Sequence, residues 1–149
     1  MIADAFTHWQ PQLVRYALQL LQNGHDAEEV VQDVFTRLVA TPGRYSLGEH
    51  AEVLLFRMVR NGCIDARRKR RPRTNRDVEG HVADPAPGRD DELERALARL
   101  PADEREALLL TALDGLGYRE VAQILGCSVG TVAARRCAAV DKLRARLHR

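Results

Sequence analysis

Apolar side chains recur along this chain at steps of three and four residues, the spacing of one face of an α-helix. The first stretch to show it contains Phe6, Trp9, Leu13, Tyr16 and Leu20. No segment alternates apolar and polar residues as a half-buried strand would. The pattern therefore predicts an all-α protein.

Turn-forming and capping residues divide this pattern into elements. Pro11 predicts the start of a second helical segment, because its missing N–H is harmless at the first helical position. Asn23-Gly24 predicts the end of that segment. Asp26 then predicts the N-cap of the next helix, with Glu29 three residues later completing a capping box. That helix is expected to extend to about Ala40.

The helix over residues 27–40 has two different faces. The expected core side chains are Val30, Val31, Val34, Phe35 and Leu38. The polar side chains at helical spacing on the other face are Glu29, Gln32, Asp33 and Thr36. An amphipathic helix of this kind buries one face and offers the other to solvent or to a partner.

A longer helix is predicted from about Ala51 until Pro72 ends it. One side of this helix carries Arg57, Arg60, Asn61, Arg67, Arg68 and Arg71, with Asp65 one turn after Asn61. An arginine-rich helix binds phosphate through its charge, and its smaller polar side chains can read exposed base edges. The alternative is a solvated basic helix end.

The segment over residues 72–90 combines Pro, Gly and charged residues without an apolar period, which predicts a flexible linker. Two small helical domains are therefore expected, over residues 1–71 and 91–149. Each would bury only a modest core of its own.

The C-terminal domain contains the spacing of a helix-turn-helix. Ala122 is small where the two helices approach each other, and Gly126 can adopt the positive φ that the turn needs. Ser128 can cap the second helix, and Val132 returns an apolar side chain to the core. An ordinary helical hairpin with a glycine turn is the alternative.

The second helix of this motif is expected to enter the major groove of DNA by its N-terminal end. The outward residues near that end are Val129, Gly130, Thr131, Ala133, Ala134 and Arg135. Ser128 and the helix N-terminus suit phosphate oxygens. Arg135 is the first candidate for a base-edge or phosphate contact, and Arg136 is the second.

Charge is distributed unevenly along the 149 residues, although the net charge is only +2. Residues 57–76 carry +8 and residues 115–149 carry +5, while residues 1–56 and 77–114 carry −4 and −7. Two basic blocks separated by an acidic one suggest two separate contacts with a polyanion.

Signals of other protein classes are weak in this sequence. The three cysteines form no CxxC pair and the five histidines lack ligand spacing, so neither a disulfide framework nor a metal site is expected. No phosphate-binding glycine loop or nucleophile motif occurs, and an enzyme with catalytic residues or a cofactor is the least favoured reading. With no membrane span or signal peptide, a cytoplasmic protein without membrane insertion is expected.

Three stretches together resemble the extracytoplasmic-function (ECF) sigma factors of bacterial RNA polymerase. They are DAEEVVQDVFTRL from Asp26, LLFRMVRNGCIDARRKRR from Leu54, and LPADEREALLLTALDGLGYREVAQILGCSVGTVAARR from Leu100. In order and spacing they cover nearly the whole chain.

This resemblance implies a promoter-specificity subunit that binds the β′ and β subunits of the polymerase core and promoter DNA. Core binding would fall to Glu29, Gln32 and Asp33, on the β′ clamp coiled coil. The minus-ten element would be bound by Arg57, Arg60, Asn61, Asp65, Arg67 and Arg68, with the loop over residues 42–50 near a flipped-out base. The minus-thirty-five element would be bound by Ser128, Gly130, Thr131, Arg135 and Arg136. A regulatory anti-sigma protein is a further implied partner.

The chain also departs from the family pattern. Leu54 stands where the family usually has tryptophan, and Ala133 and Ala134 replace polar or basic residues of the recognition helix. Arg136 occupies a position that is usually apolar. These departures leave open a sigma-like adaptor with weakened duplex readout, and a stand-alone helix-turn-helix regulator is the other alternative.

Overall fold

A computed structural model describes residues 2–40, 51–70, 89–113 and 116–147, and every regular element in these ranges is helical. In chain order the elements are α1 (Ile2–Leu21), α2 (Gly24–Ala40), α3 (Ala51–Arg70), α4 (Arg89–Ala98), α5 (Ala102–Leu108), a π-helical turn (Leu109–Leu113), α6 (Tyr118–Leu125) and α7 (Val129–Leu147). The predicted all-α class is confirmed. None of the described helices has the length and apolarity to cross a membrane.

Two compact units divide the chain, Met1–Ala83 and Asp84–Arg149. This division falls within residues 72–90, for which a linker was predicted. Most of that segment lies outside the described residues, and its last two residues, Arg89 and Asp90, already belong to α4.

The first unit is a three-helix bundle in which α1, α2 and α3 pack against one another. Aromatic rings join all three helices. The ring centroids of Phe6 and Phe35 are 4.6 Å apart between α1 and α2. Phe56 of α3 is fully buried and meets two rings of α1, Tyr16 at 5.6 Å and Trp9 edge-on at 5.8 Å. Such ring contacts add to the burial of apolar area.

Helices α2 and α3 approach each other closely at Gly62. A Cβ atom placed on Gly62 would lie 2.8 Å from the Cγ1 of Val30. Glycine at this position therefore permits the distance between two helices whose outer faces carry Glu29 and Asn61.

Helix α1 continues through Pro11, so the prediction that a new helix begins there is wrong. Proline removes the hydrogen bond to the carbonyl four residues earlier, here that of Thr7. Thr7 and Pro11 are both exposed, so water can bind this carbonyl, while Phe6 and Leu13 stay buried on the packed side. Tertiary packing thus outweighs the local preference.

The N-cap of α2 also differs from the prediction. Helix α2 begins at Gly24, and the N–H of Asp26 donates to the Oδ1 of Asn23 at 3.1 Å. Asn23 is therefore the capping residue, and Asp26 lies within the first turn, where a carboxylate is favoured by the helix dipole. The chain leaves α1 through Gln22, whose φ is 56°.

The second unit encloses a separate core, in which α4 and α5 pack on α7. Its central cluster consists of Leu97, Leu100, Leu108 and Ala139, flanked by Val140 and Leu143. At the edge of this cluster the Nζ of Lys142 on α7 donates to the Oε1 of Glu104 on α5 at 2.8 Å. Helix α7 is therefore held by apolar packing and, at its C-terminal half, by this ion pair.

A π-helical turn extends α5, and three consecutive leucines at this junction, Leu108, Leu109 and Leu110, are buried. A π-helical turn contains more residues than an α-helical turn, so neighbouring side chains point in more similar directions. The hydroxyl of Thr111 in this turn donates to the carbonyl of Ala107 in the last turn of α5 at 2.7 Å.

Candidate nucleic-acid interface

The exposed side of α2 carries the side chains predicted to bind a protein partner. Glu29, Gln32 and Asp33 are all exposed, and we call this set the α2 polar face. Val31 and Leu38 on the opposite side are fully buried, so the helix is fixed by its core contacts. Of the three, only Glu29 has a described polar contact, between its Oε2 and the Nε2 of His25 at 3.6 Å. The carboxylate of Asp33 is solvated and accessible.

The outer side of α3 carries the predicted basic set. Arg57, Asn61, Asp65, Arg67 and Arg68 are exposed and Arg60 is half-buried; we call these six residues the α3 basic face. Leu55, Phe56, Val59 and Cys63 are fully buried on the other side of the helix. The structure thus places all six side chains on one helix, directed away from its core contacts.

Leu54 is half-buried and lies on the side of α3 that carries Arg57 and Asn61, three and seven residues later. An apolar side chain therefore borders the α3 basic face where the family usually places tryptophan. The loop over residues 42–50, expected near a flipped-out base, lies outside the described residues.

The helix-turn-helix has the predicted geometry. Gly126 ends α6 with a φ of 70°, and its N–H donates to the carbonyl of Ala122 at 2.9 Å. Ala122 and Val132 are buried. The N–H of Thr131 donates to the Oγ of Ser128 at 3.1 Å, so Ser128 caps α7 as expected.

Exposure divides the recognition helix α7 into three groups. Val132 and Ala139 are buried. The exposed residues between positions 129 and 140 are Val129, Gly130, Ala133, Ala134 and Cys137. Thr131, Arg135 and Arg136 are half-buried. The two arginines predicted as DNA contacts therefore lie at the border of the exposed face, and its centre is formed by small or apolar residues.

Arg135 contacts two groups within its own unit. Its Nε lies 3.6 Å from the Oδ2 of Asp103 on α5, and its Nη1 lies 4.0 Å from the Sγ of Cys127. Sequence reasoning missed Asp103, because no local pattern connects residues so far apart in the chain. The guanidinium is thus oriented by α5 and by the turn between α6 and α7.

Side chains that could bind a metal ion are not clustered in the part of the chain that the structure describes. Nowhere in these ranges do three or more His, Cys, Asp or Glu side chains come close enough to hold an ion. Cys63, Cys127 and Cys137 form no disulfide with one another, and Cys63 is buried in the first unit.

Comparison with protein families matches both halves of the chain. Residues 5–73 match the family described as Sigma-70 region 2, which covers α1, α2 and α3. Residues 90–143 match the family described as Sigma-70, region 4, which covers most of the second unit.

Similar proteins extend over almost the whole length. The chain is 36% identical to the ECF RNA polymerase sigma factor EcfG of Rhodopseudomonas palustris, over 93% of this chain and 80% of the relative. It is 35% identical to the ECF RNA polymerase sigma factor SigC of Mycobacterium tuberculosis, over 95% and 81%.

Two solved structures resemble this fold. The sigma factor RpoE of Bartonella quintana, solved in complex with the anti-sigma factor NepR, aligns with a TM-score of 0.79 at 28% identity, covering 98% of this chain and 96% of that chain. CnrH, solved in complex with the cytosolic domain of CnrY, aligns with a TM-score of 0.76 at 25% identity, covering 99% and 87%.

Proposed function

Because this chain belongs to the ECF sigma factors, which bind RNA polymerase core and direct promoter-specific initiation, we propose which of its surfaces performs each part of that task. One observation carries the proposal. The helix with a solvated acidic face and the helix with a basic face form one bundle, while the helix-turn-helix belongs to the other unit.

The α2 polar face docks on the β′ subunit of the core. Glu29, Gln32 and Asp33 offer two carboxylates and an amide from a helix that is fixed by its buried side. A surface of this kind suits a basic partner, because opposite charges set the orientation of docking and penalise other partners.

The α3 basic face binds the minus-ten element as it opens. Arg57, Arg67 and Arg68 extend into solvent and neutralise phosphates. Asn61 and Asp65 are short polar side chains on the same side, suited to the edges of unpaired bases. Half-buried Leu54 adds an apolar surface against which one base can pack.

Helix α7 enters the major groove of the minus-thirty-five element. Ser128 and the first N–H groups of α7 lie where phosphate oxygens bind, with Gly130 allowing close approach. Thr131, Arg135 and Arg136 flank the exposed face and contact backbone or base edges. Contacts to the β subunit complete the attachment to the core.

Regulation and location follow from the same role. The structural relative from Bartonella quintana was solved with an anti-sigma factor, which supports an anti-sigma protein as a partner of this chain. We infer a cytoplasmic location, where polymerase and chromosome are found. We also infer no catalytic activity of the chain itself, because the polymerase forms the phosphodiester bonds.

The α2 proposal is tested by charge reversal. Asp33→Arg places a cation against a basic partner surface, and like charges at an interface cost several kcal/mol. We expect the affinity for purified core to fall at least a hundredfold, measured by co-elution and by fluorescence anisotropy of labelled protein. Asp33 is exposed, so the circular dichroism spectrum should not change.

Glu28→Arg is the matched control. Glu28 is exposed at the edge of the α2 polar face, about 90° from its centre and one turn before Gln32, so the same charge change should weaken core binding less than Asp33→Arg does. Equal losses of core affinity in both variants would indicate a general charge effect.

Promoter selection is tested separately. If the wild-type holoenzyme selects no promoter from a randomised library, the chain acts as an adaptor without duplex readout.

A further inference from the structure

The reading surface of the recognition helix is largely apolar. Within residues 129–140 the exposed positions hold only valine, glycine, alanine and cysteine. Val129 has the largest of these side chains and is 45% exposed. It is the first residue of α7, and Ala133 follows it one turn later on the same side. An exposed valine at the end of α7 that enters the groove is available for direct contact.

Two of the polar candidates near Val129, Ser128 and Arg135, already have partners inside the protein. The Oγ of Ser128 accepts the N–H of Thr131 and lies 2.9 Å from the Thr131 hydroxyl. Arg135 pairs with Asp103 across to α5. These side chains must give up or share a contact before they can bond to a base edge. Val129 and Ala133 can contact a base without giving up a hydrogen bond or an ion pair.

Apolar side chains in the major groove have one specific partner, the C5-methyl group of thymine. We propose that α7 recognises its promoter duplex mainly through thymine methyl groups, with Val129 as the first contact and Ala133 as the second. This inference rests on the proposed binding of α7 in the major groove. Arg135 then supplies affinity and orientation, and the apolar pair supplies base identity.

Deoxyuridine tests the inference, because it keeps the hydrogen-bonding groups of thymine and lacks the methyl group. The holoenzyme is bound to its selected promoter with thymine or deoxyuridine in the upstream element. We expect about fourfold weaker binding for each contacted thymine, the effect of exposing one methylene-sized group. The thymine preference is the ratio of the affinity for the thymine promoter to the affinity for the deoxyuridine promoter. In Val129→Ala this ratio, measured at the first contacted base, should fall close to one.

Val39→Ala is the matched control, because Val39 is a 54% exposed valine on α2 of the other unit. Its thymine preference should equal that of the wild type. Deoxyuridine also alters the duplex itself, but equally for every variant, so the ratio between variants isolates the contact with Val129.

The other outcomes of the deoxyuridine experiment distinguish failure of methyl recognition from failure of the proposed binding of α7. Equal binding of thymine and deoxyuridine promoters by the wild type refutes methyl recognition and leaves the sigma-factor role intact. A preference for thymine that survives in Val129→Ala refutes the assignment to Val129. If the holoenzyme shows no dependence on the upstream duplex at all, the proposed binding of α7 to the minus-thirty-five element fails as well.

Discussion

Replacing Gly62 by alanine tests the close approach of α2 and α3. The new Cβ would lie 2.8 Å from the Cγ1 of Val30, whereas carbon atoms in contact are normally about 3.5–4.0 Å apart. One of the two groups must move by about 1 Å. Val30 is β-branched and restricted to one main rotamer in a helix, so the strain passes to the helix backbones.

Two opposing effects set the expected size of the change. Overpacking of a core costs about 1–3 kcal/mol. Alanine in a helix interior is favoured over glycine by about 1 kcal/mol. We therefore expect Gly62→Ala to lower the free energy of unfolding of the first unit by about 1 kcal/mol.

Urea unfolding followed by tryptophan fluorescence measures this change. Trp9 is the only tryptophan of the chain and packs against Phe56 in the first unit, so its signal reports on that unit. Gly24→Ala is the matched control, because a Cβ on Gly24 meets nothing within 4 Å. It should be neutral or stabilise by up to about 1 kcal/mol.

Repeating the Gly62→Ala substitution in a Val30→Ala background tests whether the Val30 side chain causes the loss of stability. In Val30→Ala the obstructing methyl group is absent, so adding Gly62→Ala should there raise stability by about 1 kcal/mol. If Gly62→Ala stabilises the protein as much with Val30 present as without it, the two helices are not held at the described distance.

Two further predictions concern the helix-turn-helix, and hydrogen exchange of the amides over residues 118–147 measures both. Ser128→Ala removes the cap of α7 and should lower the stability of the helix-turn-helix by about 1 kcal/mol. Ser128→Asp keeps an acceptor and should lower it less. Equal protection of the amides in both variants would contradict the capping role. Gly126→Ala places a side chain on a residue whose φ is 70° and should lower the stability of the helix-turn-helix by about 1–2 kcal/mol. Gly126→Asn should lower it less. Unchanged protection in Gly126→Ala would mean that the turn has another conformation.

Local signals were sufficient to predict the helix-turn-helix. Ala122, Gly126, Ser128 and Val132 act within a few residues of one another, through a backbone angle, a cap and one buried side chain. Interactions of this range are encoded by residue type and spacing. The end of α6 and the start of α7 follow directly from them.

Features decided by distant contacts could not be predicted in the same way. Pro11 favours a helix start locally, but the packing of α1 on two other helices extends the helix through it. The choice between Asn23 and Asp26 as the cap of α2 depends on where α1 ends. The contact of Asp103 with Arg135 joins helices that are distant in the chain. In each case tertiary structure selects among options that local chemistry leaves open.

The wide turn after α5 has a consequence for length variation. A π-helical turn accommodates one additional residue inside a helix without a break in the chain. Leu108, Leu109 and Leu110 remain buried there, and the carbonyl of Ala107 receives its hydrogen bond from the Thr111 side chain. One residue fewer at this point would leave an α-helical turn in place of the π-helical one, so the helix could absorb the deletion without a break in the chain.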